Sequence, residues 1–241
     1  MSSTLTYLAF HALYVLPVLA ALAAAVVFRR DRVDWRVGGA GLAVVTVLAV
    51  VYTIPWDGYL ITVGVWEYGP GRVAGRLWVV PYEEVLFFVL QPALTGLWTI
   101  LVAGPVLDGV TQSWRDRAVG AAAGLAVSLA GAAMLTREPT FYLGAILAWA
   151  GPVLALQWGF GWRYLVRVPR RVAVAVLVPS AYLWVVDRHA IREGVWTISE
   201  TYTTGLGVAG LPVEEMAFFV VTNLFVVQAL VLFRWVVREW R

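Results

Sequence analysis

The chain of 241 residues contains no cysteine and no lysine. Without cysteine it can have no disulfide framework, no thiolate metal site and no cysteine nucleophile. Its 18 basic residues are all arginine, the formal charge is only +3, and no basic run predicts nucleic-acid binding. Charged residues make up 14% of the chain, whereas 61% of the residues are hydrophobic. Because so little polar surface cannot coat a soluble globule, the composition predicts an integral membrane protein.

Long apolar runs predict about seven transmembrane helices, since a bilayer core about 30 Å thick requires roughly 20 apolar residues per helix. We number them helices 1 to 7 and place them near residues 5–28, 38–55, 81–104, 118–135, 140–160, 172–186 and 211–233. The first arginine is Arg29, so the N-terminal run lacks the positive flank of a signal peptide, and we expect it to remain as a helix.

The arginines also predict the orientation, because basic residues are retained in cytoplasmic loops. Thirteen of the 18 follow helices 1, 3, 5 and 7, the last of them being Arg241, and five lie in the opposite loops. We therefore expect a multi-pass protein of the cell membrane with its N-terminus outside and its C-terminus in the cytoplasm. Helices 3 and 7 would then both begin at the outer surface.

The two halves of the chain resemble each other, which indicates a duplication. The matched pairs include Tyr7 with Tyr142, Pro17 with Pro152, Tyr52 with Tyr182, Asp57 with Asp187, Gly64 with Gly194 and Trp66 with Trp196. A three-helix unit begins outside and ends inside, so a second copy in the same orientation needs one extra crossing, which is helix 4. The sequence therefore predicts an all-α membrane protein with a 3+1+3 parallel internal repeat, made of residues 1–104, a linking helix in 105–139, and residues 140–241.

Helix 4 carries Gly120, Gly124 and Ser128 on one stripe. Small residues at this spacing let membrane helices approach closely. We expect this stripe to be a packing surface.

Two short motifs, PYEEVLFF from Pro81 and PVEEMAFF from Pro212, open helices 3 and 7. Proline and carboxylates are favourable in the first turn of a helix, so each pair could simply stabilise a helix start. Capping, however, needs only one acceptor on a short side chain. Four glutamates at matched depth exceed that need, and ionisable residues inside a membrane span are candidates for function.

Helical spacing places each acid above an aromatic face. The residues that share a face are Glu84, Phe87, Phe88 and Gln91 on helix 3, and Glu215, Phe218, Phe219 and Thr222 on helix 7. Two adjacent carboxyl groups removed from water cannot both ionise easily, so at least one of each pair is expected to stay protonated. A neutral acid above aromatic rings can protonate an apolar alkene and shelter the resulting cation.

Other repeated residues are candidates for the same site. Trp66, Trp196, Tyr52 and Tyr182 would extend the aromatic lining, although tryptophan and tyrosine are also common at membrane surfaces. Asp57 and Asp187, expected just beyond helices 2 and 6, either orient the glutamates or solvate the loops. His11 in helix 1 is either a partner of the site or purely structural.

At these motifs the sequence resembles the membrane-integral, flavin-independent lycopene β-cyclases, over essentially the whole chain. The resemblance implies an isomerase (an intramolecular lyase) of carotenoid biosynthesis that closes the ψ-ends of lycopene into β-ionone rings, giving γ-carotene and then β-carotene, with no cofactor and no metal. The family pattern Pro-x-Glu-Glu/Gln implies that Glu83 and Glu214 transfer protons. Glu84 and Glu215, which the helical faces slightly favoured, would then hydrogen bond to them and keep them protonated.

The resemblance also implies partners, namely lycopene and membrane lipid. A homo-oligomer or contacts with other carotenoid enzymes stay open, and between one shared pocket and one per half we favour the shared pocket. Three alternatives are weighed: a carotenoid hydratase in which water captures the cation, a proton-coupled transporter, and a structural membrane partner. A prenyltransferase is disfavoured, because only Asp31-Arg-Val-Asp34 approaches an aspartate-rich site.

Overall fold

The computed structural model describes residues 5–239, so residues 1–4 and 240–241, including Arg241, lie outside the described residues. Within this range seven helices are long and apolar enough to cross a membrane, as predicted. They are α1 (Tyr7–Phe28), α2 (Trp35–Val63), α3 (Tyr82–Val102), α4 (Trp114–Met134), α5 (Phe141–Leu165), α6 (Pro169–Arg192) and α7 (Val213–Glu239). The protein is thus a multi-pass, mainly helical membrane protein.

Helices α2 and α6 extend further than the sequence predicted. Helix α2 passes through Pro55 and ends at Val63, and α6 ends at Arg192. The prediction that Asp57 and Asp187 follow these helices was therefore wrong, since both lie inside them. Proline removes only one hydrogen-bond donor, and membrane helices tolerate it where neighbouring groups compensate.

Glycines end α2 and α6 in the same way. Gly64 and Gly194 have positive φ angles of 84° and 66°, which glycine adopts at little cost. The next residue in each case returns its N–H to the helix, from Val65 to the carbonyl of Leu60 and from Val195 to that of Ala190, both at 3.0 Å. After each of these glycines the chain continues in an extended conformation.

The extended segments pair across the two halves. Strand β1 (Trp66–Tyr68) is antiparallel to β4 (Trp196–Ile198), with Trp66 opposite Ile198 and Tyr68 opposite Trp196. Because side chains alternate along a strand, Glu67 and Thr197 point outward and are exposed, while the other side chains face the helices. The sequence analysis did not predict this ribbon.

A small hairpin precedes each glutamate-bearing helix. Strands β2 (Arg76–Leu77) and β3 (Val80–Pro81) lead into α3, and β5 (Gly207–Val208) and β6 (Leu211–Pro212) lead into α7. The loop before each hairpin also accepts a backbone hydrogen bond from a helix start. Tyr7 donates to the carbonyl of Arg72 at 2.9 Å, and Tyr142 donates to that of Tyr202 at 3.1 Å. The loops before the two hairpins, which we call the roof loops, and the β1–β4 ribbon together cover one end of the helices.

Helix α4 packs closely along α5 through its stripe of small residues, as expected. A Cβ atom at Gly124 would lie 2.1 Å from the backbone nitrogen of Ala155, so only glycine allows this approach. The hydroxyl of Ser128 donates to the carbonyl of Ala148 at 2.8 Å. The stripe is thus a packing surface.

Candidate active site

A small cavity of about 50 Å³ lies beneath the β1–β4 ribbon and receives side chains from both halves of the chain. Four carboxyl groups reach it from four different helices: Asp57 from α2, Glu84 from α3, Asp187 from α6 and Glu215 from α7. Aromatic and aliphatic side chains complete the lining, namely Tyr7, Phe10, Trp66, Tyr68, Phe87, Tyr142, Trp196, Phe218, Phe219, Leu183, Val186 and Ile198. We call these four carboxyl groups the acid cluster.

Glu84 is held by two tyrosines. Its Oε2 accepts hydrogen bonds from the hydroxyls of Tyr7 at 2.7 Å and Tyr68 at 2.8 Å. Burial, together with the charge of Glu84, raises the pKa of Tyr68 well above its ordinary value. The Tyr68 phenol therefore keeps its proton and remains a donor to the carboxylate.

Glu215 has one tyrosine in the equivalent place. Its Oε1 accepts a hydrogen bond of 2.8 Å from Tyr142, the residue that matches Tyr7 in the second half. The counterpart of Tyr68 is Ile198, which carries no donor. The two glutamates therefore have similar positions and unequal support.

The two aspartates are buried with few hydrogen bonds. Asp57 and Asp187 are each only 2% exposed, and the Oδ2 atom of each has no hydrogen-bond partner. Asp187 accepts from the indole nitrogen of Trp196 at 3.1 Å. Both aspartates lie close enough to Glu84 and Glu215 for the charges to interact. Carboxyl groups packed this closely cannot all be ionised, so the acid cluster retains protons.

The other glutamate of each pair points away from the cavity. Glu83 accepts a hydrogen bond from the backbone nitrogen of Ala74 at 2.8 Å, and Glu214 accepts from the backbone nitrogen of Thr204 at 2.8 Å and from its hydroxyl at 2.7 Å. Neither lines the cavity, although both are buried, at 4% and 0% exposed. The side chains expected to transfer protons therefore bind the roof loops in this structure.

The predicted aromatic residues divide into two groups. Phe87, Phe218, Phe219, Trp66 and Trp196 line the cavity. Phe88 is buried in the neighbouring core. Tyr52 and Tyr182 lie away from the cavity, and their hydroxyls donate hydrogen bonds to the backbone carbonyls of Trp149 and Tyr14, respectively.

Two further polar candidates lie outside the cavity lining. Gln91 belongs to a buried network, in which its side-chain nitrogen donates to Asn223 and Asn223 donates to Ser180 at 2.9 Å. His11 lies against Tyr7 and Phe87, and its Nδ1 is 2.9 Å from the carbonyl of Tyr7. Both residues support the helices that carry the site.

Sequence reasoning missed the three tyrosines that hold the glutamates. Tyr7 and Tyr142 were recognised as a matched pair, and that match was the one available indication. Nothing comparable marked Tyr68, because its counterpart is Ile198. Its position depends on the pairing of two distant strands.

A larger groove lies elsewhere, with a volume of about 570 Å³ between α4, α5, α6 and α7. Gln228 is one of the few polar residues in its lining, which contains no acid or base. Within residues 5–239 no group of three histidine, aspartate or glutamate side chains is placed to hold a metal ion. Four carboxyl groups, by contrast, line the smaller cavity.

The fold and the site define a class: a multi-pass membrane protein with four carboxyl groups in one cavity lined by aromatic rings. The family model described as lycopene cyclase matches residues 4–102 and 139–233. A lycopene beta-cyclase of Halobacterium salinarum is 51% identical over 239 residues, which cover 99% of this chain and 100% of that protein. The chain belongs to the lycopene cyclase family.

Fungal relatives are longer. The bifunctional lycopene cyclase/phytoene synthase of Aspergillus oryzae is 32% identical over 94% of this chain and 39% of that protein. The protein of the same name from Podospora anserina is 33% identical over 94% of this chain and 40% of that protein. No solved structure matches the chain.

Proposed function

We propose that the protein is a lycopene β-cyclase that converts the ψ-ends of lycopene into β-ionone rings, giving γ-carotene and then β-carotene without net oxidation or reduction. The observation that carries this proposal is the acid cluster, in which four carboxyl groups share one aromatic cavity in a chain of the lycopene cyclase family. None of the relatives described above is named as a hydratase or a transporter, and we do not pursue those alternatives.

The aspartates are the best candidates for the proton donor. The Oδ2 atoms of Asp57 and Asp187 are buried without a partner, as are the Oε2 atoms of Glu83 and Glu214, but of these four residues only the aspartates line the cavity. A buried carboxyl group in that condition is most stable when protonated. Such a group can transfer its proton to the terminal double bond of the substrate, which leaves a tertiary carbocation. The faces of Trp66, Phe87 and Phe218 line the same cavity and can stabilise this charge.

The tyrosine-bound glutamates are the best candidates for the base. The neighbouring internal double bond attacks the cation and forms the ring bond, so the positive charge moves into the new ring. Glu84 or Glu215 then removes a ring proton, and the electrons of that C–H bond become the ring double bond. The acid has lost one proton and the base has gained one. Transfer between neighbouring carboxyl groups restores the starting state.

Glu83 and Glu214 would then position the site. Each joins the first turn of its helix to a roof loop, and thereby fixes the direction of the adjacent Glu84 or Glu215. This assignment exchanges the roles that the family pattern implied for the two members of each pair. The proton-transfer role of Glu83 and Glu214 remains the alternative, and substitution separates the two.

One cavity serving both ends of the substrate is part of this proposal. Because Glu84 and Glu215 line the same space, a single chain end can meet acids from both halves. The second ring would form after the carotenoid has turned round.

We also propose the predicted 3+1+3 duplication and its domains, residues 1–104, 105–139 and 140–241. Matched hairpins, matched helix ends and the two segments that fit the family model support it. The arginine distribution supports an outer N-terminus and a cytoplasmic C-terminus, which places the acid cluster near the outer surface. Exposed apolar side chains such as Val47, Leu48 and Val51 fit contact with membrane lipid. A homo-oligomer or contact with other carotenoid enzymes remains a further expectation.

The proposal is tested in a host that accumulates lycopene, by separating its pigments with chromatography and absorbance detection. Wild type should give one-ring and two-ring products. Glu84→Gln and Glu215→Gln should each reduce them by roughly a hundredfold or more, since a general base typically contributes that much. Unchanged lycopene beside membrane-inserted wild-type protein would reject the proposed function.

A further inference from the structure

Two seams run between helices of opposite halves, one between α1 and α6 and the other between α2 and α5. Each is crossed by one tyrosine hydroxyl. Tyr182 of α6 donates to the carbonyl of Tyr14 in α1, and Tyr52 of α2 donates to the carbonyl of Trp149 in α5. Tyr52 and Tyr182 are matched positions, and so are Tyr14 and Trp149 at the offset that relates Tyr7 to Tyr142. The two crossings are therefore counterparts.

The α2–α5 seam is filled by stacked aromatic rings. The ring of Trp56 lies 4.6 Å from that of Trp149 at 21°, and 5.8 Å from that of Phe218 at 7°. The indole nitrogen of Trp56 also donates to the carbonyl of Ala145 at 3.3 Å. This stack leaves little space for a ligand between the helices.

The α1–α6 seam has a valine where the other seam has Trp56. That residue, Val186, is related to Trp56 by the same offset of 130 that relates Asp187 to Asp57. A cavity of about 320 Å³ lies along this seam, lined by Val185, Val186, Arg188, His189 and Arg192 of α6 and by Tyr14 of α1, whose ring centroid is 5.3 Å from that of His189. The exchange of tryptophan for valine thus coincides with a cavity beside the seam.

Val186 borders both this seam cavity and the cavity that holds the acid cluster. The acid-cluster cavity, at about 50 Å³, has room for only a few water molecules, since about 10–15 Å³ of such volume holds one, and it is too small for the end of a carotenoid. It must therefore widen when substrate binds. The β1–β4 ribbon roofs its outer side, and a linear carotenoid is dissolved in the bilayer, so a lateral route is the shortest.

We propose that the linear carotenoid enters the acid cluster sideways from the bilayer between α1 and α6, past Val186, while Trp56 keeps the α2–α5 seam closed. This inference rests on the proposed function. Arg72 donates to the carbonyls of Leu5 at 2.7 Å and Glu193 at 2.6 Å, so it ties the outer ends of the two helices together. The opening therefore lies below Arg72, at the depth of Tyr14 and Val186. Arg188 and Arg192 also line the seam cavity.

Val186→Trp tests the route, because it places at the α1–α6 seam the residue that fills the other seam. The matched control is Val178→Trp, a lipid-facing position on the same helix that is 47% exposed. In membranes supplied with a low concentration of lycopene, Val186→Trp should reduce cyclisation by at least about tenfold, and by much less at saturating lycopene, because blocked entry slows binding rather than the chemical step. The control should convert lycopene as wild type does. Wild type that forms no ring would reject the proposed function, whereas full activity of Val186→Trp beside active wild type would overturn the route alone.

A second measurement does not depend on turnover. Because the chain has no cysteine, Val186→Cys and Val178→Cys each provide a single thiol. Both would be labelled in membranes with an apolar maleimide, in the presence and absence of lycopene. Lycopene should slow the labelling of Val186→Cys and leave that of Val178→Cys unchanged. Equal labelling of Val186→Cys with and without lycopene, beside active wild type, would overturn the route.

Discussion

The hydroxyl of Tyr142 donates a hydrogen bond of 2.8 Å to Oε1 of Glu215. Within residues 5–239 no other tyrosine hydroxyl donates to Glu215. Glu84, by contrast, has both Tyr7 and Tyr68. A hydrogen bond to a charged group contributes about 1.5–3 kcal/mol, and removing the last donor from a buried carboxylate has the larger consequence. The two halves should therefore tolerate the loss of a phenol to different degrees.

Tyr142→Phe should accordingly reduce cyclisation by roughly ten- to a hundredfold. Tyr68→Phe should reduce it several-fold less, because Glu84 retains Tyr7. The measurement is the initial rate of ring formation in membranes, normalised to the amount of folded enzyme. Equal losses in the two variants would contradict the unequal support of the glutamates.

Asp57→Asn and Asp187→Asn test the proposed proton donors. Asparagine keeps the size of the side chain and removes the transferable proton, so each substitution should reduce the rate by about a hundredfold to ten-thousandfold. Because the Oδ2 atom of each aspartate is buried without a hydrogen-bond partner, the substitutions should leave the thermal stability in detergent unchanged or raise it. Wild-type rates in both variants would exclude the aspartates as proton donors.

Gly124→Val tests the packing of α4 on α5. A Cβ atom there would lie 2.1 Å from the backbone of Ala155, so the helices must separate. We expect the free energy of unfolding to fall by about 1–3 kcal/mol or more, as is usual for overpacking, and the yield of folded protein from membranes to fall with it. Gly39→Val is the matched control, since a Cβ atom at Gly39 would meet no atom within 4 Å. Equal yields of folded protein from the two variants would show that the interface accommodates the added methyl groups.

Much of the architecture could be predicted because its causes are local. Apolar runs indicate the seven helices, small residues indicate the α4–α5 interface, and charged residues in apolar helices indicate the site. The β1–β4 ribbon could not be predicted, since strands of three residues have no periodicity to detect and their pairing joins residues 128 to 132 positions apart. Tyr68, one of the two tyrosine partners of Glu84, lies in that ribbon.

Which member of each glutamate pair faces the cavity could not be decided either. Adjacent residues on a helix differ in direction by about 100°, so a modest rotation of α3 or α7 exchanges their roles. Packing of the whole bundle sets that rotation. The aspartates were expected just beyond helices 2 and 6 for a related reason. Asp187, Arg188 and His189 are polar enough to suggest the end of a helix, yet they lie inside α6 and Asp187 lines the cavity.

Glu83 provides the final test, because its replacement by glutamine should have a different effect from its replacement by leucine. Its Oε1 accepts from the backbone nitrogen of Ala74 at 2.8 Å, and the amide oxygen of glutamine can accept the same hydrogen bond. Glu83→Gln should therefore retain most of the cyclase activity if Glu83 positions the loop. Glu83→Leu leaves the Ala74 N–H unpaired, which costs about 1–3 kcal/mol, and should lower both stability and activity. Proton transfer by Glu83 predicts another pattern, in which Glu83→Gln is as inactive as Glu83→Leu while remaining as stable as wild type. Rates and melting temperatures of the two variants, together with the equivalent pair at Glu214, therefore distinguish a positioning residue from a catalytic one.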